Sequence, residues 1–301
     1  MNTHIPLPGV LRIEPSSACN FKCRHCPTGL DLNPNTGIMS METFEKVFSR
    51  VSKHRFRAIV MYHGGEPLLN KNFFIMAKRL KPLCSFMKTV NNGSALTEKN
   101  IDQILDSGLD QVVISLDGNS IEENNRIRVN ADGVKILQSI KSLILKKISK
   151  NSPLQIRISG IIIPETIEET QKPPGPPLYI TDFLGDLCQH VEIKMQYSEV
   201  WAGMNSFIPL KQPFPVNNFC DHVVSTITIR WDGTVVPCCY DLTTLSPMGN
   251  ILDDDLETIW NNDKYGELRE SIESFDPPKL CRGCNVLYPQ NYMVKKDIKI
   301  T

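Results

Sequence analysis

Cys19, Cys23 and Cys26 stand in a C-x3-C-x2-C spacing just after a short apolar run, Val10 to Ile13, that ends at Pro15 and a Ser-Ser pair. The pattern predicts a strand that runs out into a loop carrying all three thiols. Cysteine thiolates hold iron–sulfur clusters, and three of them can hold three irons of a [4Fe–4S] cube. The fourth iron is then open, and an open coordination position marks a catalytic rather than a structural metal site. The competing reading is a structural zinc knuckle. Zinc motifs usually pair C-x2-C units with a nearby fourth ligand, and this loop has none.

Other strand ends carry chemistry too. His63-Gly64-Gly65-Glu66-Pro67 follows a second apolar run; its glycines let backbone approach a ligand closely, and its carboxylate can accept bonds from an ammonium group. Asn91-Asn92-Gly93 and Ser115-Leu116-Asp117-Gly118 close the third and fourth runs. Near the end of the chain stand Cys220, Cys238, Cys281 and Cys284, the last two as C-x2-C. Four thiolates brought together make a closed S4 site, which suits zinc and iron–sulfur alike. Cys239 is left over: either a spare thiol on the other face of a hairpin, or a hydrogen-atom donor or alternative ligand. Cys84 and Cys188 stand alone and read as small buried hydrophobes.

The elements that must position these groups alternate. Strand-like runs are expected at Val10–Glu14, Ala58–Tyr62, Phe86–Asn91, Gln111–Leu116, Leu154–Ile163 and Val191–Gln196. Helical segments lie between them at about 41–53, 71–81, 97–107, 132–149 and 178–188. Such alternation argues for βαβ units around a parallel sheet. Six units match a partial (β/α)6 TIM-like barrel, with the chemistry at the strand C-termini. The Pro-rich segment 171–177 can be neither helix nor sheet interior and reads as a stiff exposed connection. After Trp201-Ala202-Gly203 the rhythm stops. A hairpin is expected with Asp232-Gly233 as its two-residue turn, then a single helix over about 256–272. A boundary near 205 divides the chain into a barrel, residues 1–204, and a small α+β domain, residues 205–301.

Composition narrows the classes. Lys plus Arg (33) equals Asp plus Glu (33), so nothing favours nucleic acid or an acidic membrane surface as partner. Hydrophobic content of 41% and charged content of 22% are those of a globular protein. No signal or membrane-spanning pattern is seen, and a cytoplasmic location is expected, where ten cysteines point to metal or catalysis rather than disulfides.

Taken together, the cysteine loop, the GGE turn and the NG and SLDG strand ends resemble the radical S-adenosylmethionine (SAM) superfamily. The tail, with Asp232-Gly233 before Cys238-Cys239, Gly249-Asn250-Ile251, Leu256 to Trp260 and Cys281-Arg282-Gly283-Cys284, resembles its twitch or SPASM auxiliary-cluster region; with five cysteines, the shorter one-cluster form is expected. The resemblance implies that Cys19, Cys23 and Cys26 hold the SAM-binding [4Fe–4S] cluster. It also implies that Cys220, Cys238, Cys281 and Cys284 hold an auxiliary Fe–S cluster. It places Gly64, Gly65 and Glu66 at the methionine amino group of SAM, Asn91, Ser115 and Asp117 near SAM, His25 close to adenine and Arg128 at the SAM carboxylate. Relatives often have glycine after that arginine; here Val129 follows.

The implied reaction is reductive cleavage of SAM to a 5′-deoxyadenosyl radical that abstracts hydrogen, with flavodoxin or ferredoxin as electron donor. Dehydrogenation of a sugar- or aminocyclitol-like small molecule is the favoured outcome, because only 18 residues precede Cys19 and leave no room for a peptide-recognition domain. The alternatives are epimerisation with Cys239 as hydrogen donor and maturation of a ribosomally made peptide or protein. Outside this class stands a non-catalytic Fe–S electron carrier or zinc-binding module.

Overall fold

The computed structural model describes residues 4–204, 214–289 and 291–297. Strands β1 (Val10–Ile13), β3 (Phe56–Val60), β4 (Cys84–Asn91), β5 (Gln111–Ser115), β7 (Gln155–Ile162) and β8 (Glu192–Tyr197) pair in that order, all parallel. Crossing between them are α1 (Met41–Val51), α2 (Phe73–Leu80), α3 (Glu98–Leu105), α4 (Ile121–Ile127), α5 (Gly133–Ser149) and α6 (Leu178–Leu184). This is the open, partial barrel expected from the alternation.

The helices form where apolar spacing and caps agree. In α1, Phe44, Val47 and Val51 are buried, and the Ser40 side chain accepts from Thr43 N. In α5, Ile136, Leu137, Ile140, Leu143 and Ile144 are buried behind an Asp132 cap. Leu11, Ile59, Met87, Val112 and Ile156, which alternate with the inward residues of their strands, join these helical side chains in the main core. The opposite face carries Arg12, Val60 and Lys88, which stand in register across β1, β3 and β4. That face is the barrel interior.

The tail continues the sheet. Helix α7 (His222–Ser225) leads into β9 (Thr226–Ile229), which pairs parallel with β1. Next come β10 (Thr234–Val236) and β11 (Gly249–Asn250), giving a nine-stranded sheet among the described residues. The expected boundary begins at residues 205–213, outside the described residues, and the segments either side of it share one sheet. The hairpin between β9 and β10 is longer than a two-residue turn. Arg230 N donates to Thr234 O at 2.8 Å, with Trp231, Asp232 and a left-handed Gly233 (φ +87) between them.

The single helix expected over 256–272 is two, α8 (Leu256–Trp260) and α9 (Asp263–Glu273). Asn262 caps α9 by accepting from Tyr265 N, and Asn261 bonds Ile5 through both its amide groups. These side-chain bonds compete with helix continuation and win. Periodicity also passed over α4, and the two-residue strands β2 (Lys22–Cys23) and β6 (Arg128–Val129), which pair antiparallel. No helix among the described residues is long and apolar enough to cross a membrane.

Candidate active site

Cys19, Cys23 and Cys26 line one cavity of about 170 Å³ at the C-terminal ends of the barrel strands. The loop that carries them is clamped from two sides. On one side Lys22 and Cys23 pair with Val129 and Arg128, and Arg24 N donates to Ile127 O at 2.9 Å. On the other side lies the GGE turn. Glu66 N donates to Ala18 O at 2.9 Å, and a Cβ on Gly65 would stand 2.5 Å from Ala18 O, so only glycine fits there. Gly64 O accepts from Thr28 Oγ1 at 2.7 Å, and Gly64 N donates to Glu14 Oε1 at 2.8 Å.

The Glu66 carboxylate is turned toward the backbone. Its Oε1 accepts from Leu68 N at 3.0 Å and its Oε2 from Asn92 N at 2.6 Å. The Asn92 amide in turn reaches Asn20 Oδ1 at 2.9 Å and lies 3.8 Å from Cys19 Sγ. Glu66 therefore ties the end of β4 to the cysteine loop. Burial pushes its carboxyl up to about 7, against the pull of those two N–H groups. Between the ordinary value of 4.5 and about 7 the folded protein holds a proton that the unfolded chain releases. Stability from this group thus falls as pH rises through that window. Glu66→Gln is expected to flatten the fall; thermal unfolding at steps across the window checks it, and an unchanged slope is the contrary outcome.

Asp117 sits behind the cavity wall, fully buried. Arg128 Nε lies 2.7 Å from its Oδ2, and Arg128 Nη2 donates to Oδ1 at 3.2 Å. His25 Nε2 stands 3.2 Å from Oδ2, and Ile161 N donates to Oδ1 at 2.9 Å. Burial alone would raise the Asp117 carboxyl; the Arg128 charge and the His25 contact outweigh it and hold it well below the usual range. Arg128 and His25 line the cavity, and Asp117 fixes both. Val129, where relatives often have glycine, belongs to the strand that pairs with the cysteine loop.

A second buried charge group was not anticipated from the sequence. Glu14, one residue past β1, faces His63 Nδ1 at 3.2 Å, in ion-pair range although off the line of a hydrogen bond. Its Oε2 accepts from Arg230 Nε at 3.3 Å and from Trp231 N at 3.2 Å. Arg230, also fully buried, donates further to Asn33 Oδ1, Asn35 O and Thr244 Oγ1. Burial raises Glu14; contact with His63, the Arg230 charge and the Gly64 N–H together overcome it and leave the carboxyl at about 2.

The tail thiols gather at the other end of the hairpin. Cys220, Cys238, Cys281 and Cys284 are all buried. Burial raises each thiol, Cys284 to about 12, and the neighbouring sulfurs add to it: Cys239, Cys281 and Cys284 act on Cys238, and Cys220 on both of the final pair. Cys239 lies beside them, half-buried, with its Sγ 3.7 Å from His222 Nδ1. It does not line the cavity. Rings connect the two regions: Trp201, in the cavity wall, lies 5.3 Å from Tyr240, and Tyr240 lies 5.5 Å from His222.

Comparison with known proteins places this arrangement. Residues 13–172 match the radical SAM superfamily, and residues 220–285 match SPASM, an iron-sulfur cluster-binding domain. The chain belongs to the radical SAM superfamily. It is 22% identical over 281 residues to the S-adenosyl-L-methionine-dependent 2-deoxy-scyllo-inosamine dehydrogenase of Niallia circulans, covering 92% of each chain. Among solved structures it resembles BtrN in complex with AdoMet and 2-DOIA (TM-score 0.64, 19% identity, 93% of this chain and 94% of that one). It also resembles Streptococcus suis SuiB bound to its precursor peptide SuiA (TM-score 0.60, 15% identity, 97% and 76%). At these identities the structural likeness speaks for the fold.

As a radical SAM protein the chain binds a [4Fe–4S] cluster and SAM, with a further Fe–S cluster in the SPASM region, and its residues fit these groups. Three free thiols border one cavity beside glycine backbone, and four more are buried together, where like-charged thiolates need a cationic core to share. Among the described residues no three His, Cys, Asp or Glu side chains converge on a single-ion position, as expected where each thiolate takes its own iron of a larger cube. Of the residues singled out at the SAM site, His25, Gly64, Gly65, Glu66, Asn91, Ser115 and Arg128 line the cavity, and Asp117 stands behind it. Sequence reasoning missed Tyr62, Trp201 and Leu242 in the wall, and Glu14 and Arg230 behind it; Asn92 was read only as part of its strand-end motif. An acidic residue closing an otherwise apolar strand was the one available signal for Glu14.

Proposed function

We propose that this radical SAM enzyme dehydrogenates a small polyhydroxylated or aminated ring compound, taking hydrogen from a carbon that bears a hydroxyl. The observation that carries the reading is the shared wall: Trp201 and Leu242, on the side of the tail thiols, close the same cavity that the cysteine loop and GGE turn open. A substrate there borders the front thiols on one side and Leu242, four residues past Cys238, on the other. Likeness to the aminocyclitol dehydrogenase over nearly the full length of both chains supports the substrate class.

In this reading Cys19, Cys23 and Cys26 hold the front cluster, and Cys220, Cys238, Cys281 and Cys284 the second. The bound groups supply a hydrogen-abstracting 5′-deoxyadenosyl radical on one side and a one-electron acceptor on the other. The Gly64 and Gly65 backbone, Asn91, Ser115, His25 and Arg128 receive SAM, with Asp117 orienting the imidazole and the guanidinium. Tyr62, Trp201 and Leu242 exclude water from the reacting carbon. A flavodoxin or ferredoxin provides the reducing electron, and ten free thiols fit a reducing cytoplasm.

The test is anaerobic incubation with SAM, dithionite and a panel of polyols and aminocyclitols deuterated at the carbinol carbons. Deuterium in 5′-deoxyadenosine with a carbonyl product is expected. A product of inverted configuration carrying solvent hydrogen would replace dehydrogenation by epimerisation, with Cys239 beside His222 as donor.

A further inference from the structure

Arg12 carries a buried charge that none of the roles above uses. It lies on β1 facing the barrel interior and is 8% exposed. Its Nη1 donates to Tyr62 O at 3.3 Å, its guanidinium lies 4.7 Å from the centre of the Tyr62 ring, and its Nε has no hydrogen-bond partner among the described residues. The groups its charge acts on most are Tyr62, Cys239 and Cys238, and among the described residues it forms no ion pair with a carboxylate. Glu14, two residues on, is taken by His63, Gly64 and Arg230.

A guanidinium buried without an anion is costly, and such groups occur where a counter-charge completes them. Strand register puts Arg12 on the side of the sheet from which β10 leads to Cys238. Arg12 stands opposite Thr228 on β9, and Thr228 opposite Val236 on β10, so all three share one face of the sheet. Cys238 follows Val236 by two residues. A [4Fe–4S] cluster held by four thiolates is an anion in both working oxidation states and gains one further negative charge on reduction. A fixed cation beside it therefore favours the reduced state, because the potential of such a cluster responds to net charge and hydrogen bonding around the sulfurs.

We infer that Arg12 is the counter-charge of the cluster held by Cys220, Cys238, Cys281 and Cys284, and that it raises the reduction potential of that cluster so that it accepts the electron of the substrate radical. Arg12 exchanges no electron or proton; it is a positioning residue acting through the cluster. Its place against Tyr62, in the cavity wall, sets this charge between substrate and acceptor.

The inference rests on the tail cysteines being cluster ligands, and the experiment separates the two. Full-length protein with Cys19, Cys23 and Cys26 all changed to alanine is reconstituted anaerobically, its iron is counted, and its midpoint potential is read by EPR-monitored redox titration. The same is done with Arg12→Lys and Arg12→Met added, two side chains of comparable length that differ in charge. Expected is a lower midpoint for Arg12→Met and a midpoint near the parent for Arg12→Lys. Loss of iron from Arg12→Met with full loading of Arg12→Lys reports the same dependence on charge. Equal midpoints at equal iron, or both variants folded but free of iron, overturn the role of Arg12. A parent protein without iron overturns the ligand reading instead.

Discussion

Changing Cys19, Cys23 and Cys26 together to alanine is expected to remove 5′-deoxyadenosine formation entirely while about four irons stay on the protein, one cubane's worth. The structure makes this division sharp. The front thiols stand on a loop between β1 and α1, bordered by backbone from the GGE turn. The tail thiols sit just before α7 (Cys220), just beyond β10 (Cys238) and in the C-x2-C segment (Cys281 and Cys284). Alanine in place of the half-buried Cys19 and Cys26 and the buried Cys23 removes little packing, so the fold should persist. The assay is anaerobic reconstitution, iron analysis and chromatography of the SAM products with dithionite as reductant. Residual 5′-deoxyadenosine would place the reactive cluster on other ligands, and complete loss of iron would mean that the tail does not hold a cluster by itself. Burial raises the Cys23 thiol to about 12, so loading must displace protons and should proceed faster in mildly alkaline than in neutral buffer.

How much of this could be read from residues alone follows from what kind of force fixes each part. The barrel strands were legible because both the apolar runs and the helices between them carry their own periodic signal. The cavity residues were legible because glycines, cysteines and strand-end polar groups sit at fixed offsets within single motifs. Asp117 shows the limit: its place in SLDG was plain, yet its partners Arg128, His25 and Ile161 N come from three separate segments. The split between α8 and α9 was hidden because Asn261 and Asn262 interrupt a good apolar stripe through hydrogen bonds to Ile5 and Tyr265, one of them distant in sequence. The pairing of β9 with β1 was hidden for the same reason, since no local pattern names a strand's neighbour. It matters for function, because that pairing makes the tail an extension of the barrel and brings Leu242, four residues past Cys238, into the cavity wall.

The residues that hold this junction give the second large effect. Glu14→Gln and Arg230→Met are each expected to cost about 3–5 kcal/mol, the usual consequence of leaving one member of a buried ion pair without its partner. Glu14 accepts from Gly64 N, Arg230 Nε and Trp231 N, so one carboxylate joins the end of β1, the GGE turn and the hairpin of the tail. With glutamine there, Arg230 keeps only the neutral acceptors Asn33, Asn35 and Thr244. The pair is fully buried, so salt should not relieve the loss. The double variant is expected to recover about 1–3 kcal/mol of the summed cost, because each change removes what the other leaves unpaired. Urea unfolding followed by tryptophan fluorescence measures all four proteins, and Trp231, whose N–H bonds Glu14, lies at the junction. Glu14→Gln should also weaken SAM binding, since its single oxygen cannot serve both Gly64 N on one side and Arg230 Nε with Trp231 N on the other, whereas Arg230→Met leaves the Gly64 acceptor in place and should do so less. Strictly additive costs would show that Glu14 and Arg230 stabilise their own segments separately and that the sheet pairing alone joins tail to barrel.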